Sequence, residues 1–151
     1  MGSVASGVYP VYKNAFKIGK SGISSAEDDM VEIKDMESFS VAIDGNVEEW
    51  NPLDQGGWTR RLMTAKGLTI SLSGKRSIGD AGNDYVANTA FADGLDCTTK
   101  VEWNFPSGAK LEFNAVINVT TLGGDSTAVD ALEFELQSDG QPTYTPPVPS
   151  A

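Results

Sequence analysis

A chain of 151 residues suits one domain and can bury roughly 70% of its unfolded surface, enough for one core without covalent staples. Eleven basic against 21 acidic residues leave a net charge of −10, which disfavours a grip on nucleic-acid phosphates. With no histidine and one cysteine, Cys97, the sequence offers no internal disulfide, no histidine-based triad and no histidine metal site.

In chain order, the opening MGSVAS fits the short myristoylation pattern through Gly2 and Ser6, a pattern too brief to carry weight. No apolar run approaches the roughly 18 residues of a membrane span, and no signal-peptide pattern is present. Residues 1–28 read as a partly flexible N-terminal arm, within which VYKNAFKIG is a short strand or a packed arm. GKS at 19–21 resembles the end of a phosphate-binding loop, but the glycine that loop needs five residues before Gly19 is Asn14. MVEIKDMESFSVAID then alternates, first at Val31 and Ile33, then at Phe39, Val41 and Ile43. Such period-two spacing puts those side chains on one sheet face.

LTISLSGKR repeats the pattern at Leu68, Ile70 and Leu72, with Gly74 ending the run. NDYVANTAFADG predicts a short helix capped by Asn83 or Asp84, with Val86, Ala87, Ala90 and Phe91 on one face. KVEWNFPSGAKLEFNAVINVTT predicts a hairpin: Val101, Trp103 and Phe105 alternate, PSG turns the chain, and Leu111, Phe113, Ala115, Ile117 and Val119 alternate back. ALEFELQ adds a strand with Leu132, Phe134 and Leu136 inward. The Pro-rich tail at 139–151 is extended or disordered.

The sum is a mainly β domain over residues 29–138: six or seven largely antiparallel strands, packed as a sandwich or small barrel, with one short flanking helix. Its non-core strand positions carry Glu102, Asn104, Glu112, Asn114, Asn118, Glu133, Glu135 and Gln137 with Lys100 and Lys110, a polar and mildly acidic face.

Between the second and third apolar runs lies a connection, residues 45–66, that holds two of the three tryptophans and two of the three arginines. Connections beyond about 12–15 residues without structure of their own are uncommon and usually functional. Trp50, Pro52, Leu53, Trp58, Arg60 and Arg61 include the types enriched at protein contacts, and an acidic chain can satisfy those arginines with carboxylates of an identical copy. The competing reading folds WTRRLMTAKG as a helical turn that buries Trp58, Leu62 and Ala65. A second competitor is a monomeric binding module, for instance for sugars, with Trp50 and Trp58 as its aromatic platform. Glu48 and Glu49 are adjacent, and strand neighbours point to opposite faces, so they make a poor catalytic pair.

SVAIDGNVEEWNPLDQGGWTRRLMTAKGLTISLSGKRSIGDAGNDYVA, DCTTKVEWNFPSGAKLEFNAVINVTT and ALEFELQSDGQPTYTP, in that order over about residues 28–146, resemble the tail tube proteins, or major tail proteins, of tailed phages of Gram-positive bacteria. The resemblance implies two packed β-sheets with a flanking helix, no catalytic role and no cofactor or metal. It implies hexameric rings stacked into a hollow tube around a tape-measure protein, ended by terminator or baseplate proteins, with DNA passing through unbound. It places the protein in the virion tail, and in the host cytoplasm before assembly, with no membrane insertion. Residues 45–66 become the ring-stacking loop, with Trp50, Pro52, Leu53, Trp58, Arg60 and Arg61 at the contact. Glu102, Asn104, Glu112, Asn114, Glu133 and Glu135 become candidates to face the lumen.

Overall fold

The described residues form eight strands: β1 (Ala15–Gly19), β2 (Met30–Glu32), β3 (Met36–Trp50), β4 (Arg60–Lys75), β5 (Thr98–Asn104), β6 (Lys110–Gly123), β7 (Ala131–Ser138) and β8 (Thr143–Thr145). One helix, α1 (Ala81–Asn88), interrupts them. The computed structural model describes residues 7–147, so the MGSVAS pattern lies outside the described residues.

All pairings are antiparallel and follow the order β2-β1-β5-β6-β7-β4-β3, with β8 added to β6. β6 is shared. Its residues Lys110–Val116 pair with β5, while Ala115–Gly123 pair with β7, with a register shift between Val119 and Thr121. A shift of this kind bends a strand. The expected two packed layers are therefore two halves of one continuous sheet that curls on itself. Phe39 on β3 and Phe16 on β1 stand near opposite ends of the hydrogen-bonded path, yet their rings lie 4.9 Å apart. Trp103 stacks on Phe16 at 5.6 Å and donates its indole N–H to Asn14 at 3.0 Å. Between the halves lie Ile18, Ile70, Val101, Leu132, Phe134 and Leu136, all buried. The alternations at 68–72, 111–119 and 132–136 predicted this core.

Two open readings are narrowed and one expectation is corrected. The arm at 1–28 contributes β1, a central strand between β2 and β5 whose Phe16 and Ile18 are core. Of the two readings of VYKNAFKIG, short strand and packed arm, the structure shows the strand. The Pro-rich tail, read as extended or disordered, is extended at β8, whose Tyr144 pairs with Leu111 and approaches Phe105. The helix begins earlier than expected, because Asp80 is its cap: its Oδ2 accepts from the Asn83 N–H at 3.0 Å and the Lys34 N–H at 3.2 Å.

Asn83 is instead fully buried. Its amide donates to the Lys34 and Lys75 carbonyls, and its Oδ1 accepts from Arg76 and the Ser77 N–H. Arg76 also reaches Asp84 Oδ1 at 2.7 Å, and together with the Gly79 N–H this holds the Asp84 carboxyl below its ordinary range. After Asn88 the chain tightens into a 3-10 turn, Thr89–Phe91. Val86 and Ala87 stay buried as predicted, but the turn leaves Phe91 outside, 91% exposed. Among the described residues, no helix is long and apolar enough to cross a membrane.

Candidate assembly interface

β3 and β4 pair from Met36↔Gly74 all the way to Trp50↔Arg60. β7 covers the other edge of β4 only from Lys75 to Thr69. Beyond that point the two strands continue alone, as a ribbon that extends roughly 30 Å at about 3.3 Å per residue. Every residue from 42 to 67 except Pro52 is exposed. Most of the expected loop at 45–66 is thus paired strand, and the true connection is 51–59. Here the sequence misled because a solvated ribbon has no core face to impose strict alternation.

The helical reading of WTRRLMTAKG falls with this geometry, since Trp58 is 79% exposed and Leu62 is also exposed. The pairing skips Thr64, whose hydroxyl bridges to Asn46. One ribbon face then carries Val47, Met63, Glu49 and Arg61; the other carries Glu48, Leu62, Trp50 and Arg60. Glu48 and Glu49 point apart, as expected for strand neighbours.

The tip is held by its own hydrogen bonds. The Asn51 amide donates to the Gly57 carbonyl and the Thr59 hydroxyl, both at 3.1 Å, and the Trp58 N–H donates to the Gln55 carbonyl. Gly56 and Gly57 have φ of 61° and 90°, a left-handed reversal that side chains beyond glycine resist. The result presents Leu53 and Trp58 outward from a loop of fixed shape. Arg61 was expected to seek an acid on a neighbour, but its Nε meets Glu49 of the same ribbon at 2.7 Å. Arg60 lies over the Trp50 ring at 5.5 Å. One face of Trp50 is thus already occupied, which counts against its use as a platform for a sugar ring.

The six polar-face candidates separate. Glu102 is buried at 4% exposure, between the Asn104 amide at 2.8 Å and Lys110 at 3.9 Å. Lys17 on β1 and Glu112 on β6 stand beside it in register. Asn104, Glu112 and Asn114 share this mixed-charge half of the sheet with Lys100 and Lys110.

Glu133 and Glu135 belong to the other half. Across β6, β7, β4 and β3 the outward positions include Thr120, Glu133, Glu135, Ser71, Ser73, Ser38 and Ser40, with Asn118 and Gln137 beside Glu135 and Lys75, paired to Glu37, at the same parity as Ser73. Glu135 accepts from Asn118 and Gln137, and among the described residues neither Glu133 nor Glu135 has a cationic partner. The serines were not singled out from the sequence, although SFSVA and TISLS place them at every second position.

Solved structures share this architecture. A chain from the tail of an empty gene transfer agent particle, determined by helical refinement with C6 symmetry, superposes with a TM-score of 0.74 at 15% identity, covering 92% of this chain and 100% of that one. A chain from the virion of a native gene transfer agent particle superposes with a TM-score of 0.68 at 14% identity, with the same coverage. No curated protein matches the sequence. The profile of the family described as phage tail tube protein matches residues 25–144, which takes in every strand but β1 and all but the last residue of β8. The chain therefore belongs to the phage tail tube protein family.

Proposed function

We propose that this chain is the repeating structural subunit of a tail tube, not an enzyme. Six copies close into a ring, and rings stack into a hollow tube through which DNA passes. The observation that carries this reading is the ribbon: a family domain extends two paired strands into solvent with Leu53, Trp58 and Leu62 uncovered. Isolated, such a projection buries almost nothing. Against another copy it buries large apolar side chains. Trp50, Pro52, Leu53, Trp58 and Arg60 form the stacking contact, and the Glu49–Arg61 pair stiffens the ribbon beneath it.

Ring closure has its own support. β3 is an edge strand of 15 residues with one side unpaired, and a neighbour's strand would cover that edge. The face formed by β3, β4, β7 and β6 suits the lumen better than the β5 side. Its outward side chains are mostly short hydroxyls and amides plus Glu133 and Glu135; Lys75 at its margin is offset by Glu37, so the net charge stays acidic, repels phosphate and favours sliding over sticking. Tape-measure, terminator and baseplate proteins are the other partners of this role, exercised in the virion tail after folding in the host cytoplasm.

Negative-stain microscopy of the purified protein over a concentration series tests the reading. Rings and tubes at high concentration are expected. A monomer at every concentration would overturn it.

A further inference from the structure

β4 runs from the tip at Arg60 to Lys75, so the two ends of the molecule along this axis lie roughly 50 Å apart at about 3.3 Å per residue. The end opposite the tip has an apolar surface without a use inside the fold. Phe91 is 91% exposed and Leu122 44% exposed, and they border an open depression of about 450 Å³ with Ala87, Arg76 and Asp130. Arg76 is committed to Asp84 and Asn83. Asp130 is exposed, and among the described residues its carboxylate has no cationic partner. At the tip, Arg60 has no carboxylate partner among the described residues; its guanidinium only covers Trp50.

We infer that this depression is the receptor for the ribbon tip of a second copy: Leu53 and Trp58 seat against Phe91 and Leu122, and Arg60 pairs with Asp130. The inference rests on the tube reading and names the partner surface of its stacking contact. Each side supplies what the other lacks. The tip brings exposed apolar side chains and an unpaired cation; the depression brings apolar walls and an unpaired anion. The two patches differ and lie at opposite ends of the strand axis, so the contact between identical copies is head to tail. Such a contact does not close on itself as a two-fold dimer and propagates along the axis. It also accounts for Phe91, which the fold turns outward where a helix would have buried it.

A charge swap tests the pairing. Arg60→Asp, Asp130→Arg and the double variant are compared with the unaltered protein by sedimentation and negative-stain microscopy, with thermal melts to verify folding. Both positions are exposed, so the melts should coincide. Each single variant should lower the sedimenting tube fraction about tenfold or more while rings persist, and the double variant should recover to within about threefold of the unaltered protein. Phe91→Glu should likewise leave rings that do not stack. Tubes of normal length from Asp130→Arg or Phe91→Glu, or a double variant no better than the singles, would overturn the inference while leaving the tube reading intact. If the unaltered protein forms neither rings nor tubes, both fail together.

Discussion

Replacing Trp58 by alanine separates a contact residue from a core residue. The indole is 79% exposed, so about a fifth of its surface rests on its own chain. A tryptophan has up to about 250 Å² to bury, which puts the intramolecular share near 50 Å² and its loss at about 1 kcal/mol. In a domain of this size that lowers the melting temperature by about 2–4 °C. The remaining surface, about 200 Å², is what a neighbour can cover, with a ceiling of about 5 kcal/mol and a usual truncation cost of about 2–4 kcal/mol for a buried aromatic anchor. If six such contacts join two rings, the loss exceeds about 10 kcal/mol per junction, subject to the non-additivity of such values. Circular dichroism melts should thus barely change while tubes vanish from electron micrographs. A melting temperature lowered by more than about 10 °C would show that Trp58 supports the fold. Tubes of normal length with an unchanged melt would show that the tip is not the contact.

Asn83→Ala removes a buried amide with four partners and strands the Lys34 and Lys75 carbonyls. A loss of about 3 kcal/mol, or about 6–12 °C in a calorimetric melt, is expected, and a change under about 2 °C would refute that account. The Asp84 carboxyl is held below its ordinary value of 3.8 chiefly by the Arg76 hydrogen bond. Its stabilisation is therefore complete above pH 3.8 and disappears as pH falls through the lower folded value. Melts of Asp84→Asn and the unaltered protein should differ near neutrality and converge in strong acid; a difference that grows with acidity contradicts the sign. Glu133→Lys with Glu135→Lys should leave tubes assembled but slow DNA ejection from particles. Unchanged ejection from normally assembled particles would take the β3–β4–β7–β6 face out of the lumen.

Most of the body was legible in the chain. Leu68, Ile70 and Leu72, the series from Leu111 to Val119, and Leu132, Phe134 and Leu136 each alternate because one sheet face meets a core, and each run became a strand with those residues inward or partly so. The loop glycine of the PSG turn has φ of 97°, in keeping with the predicted hairpin. The segment proposed for stacking was visible only as an oddity of composition and length. TRRLMTAKG alternates poorly because both faces of the ribbon are wet and the pairing skips Thr64, so a paired strand read as a loop. Arg61 found its partner on Glu49, a relation that exists only once the register of β3 on β4 is set.

By itself the sequence determined the period-two runs that commit the chain to an antiparallel β fold, the acidic balance, and the lack of histidine chemistry. These are local or additive properties, readable residue by residue. Tertiary structure decided which polar positions are wet: Glu102 is covered, held between Asn104 and Lys110, while Glu133 and Glu135 are more open beside the serines of β4. It also decided that Phe91 faces out and that two strands outrun the sheet to carry Trp58 away from the body. Burial depends on neighbours brought together from far along the chain, and that information enters only with the pairing of strands.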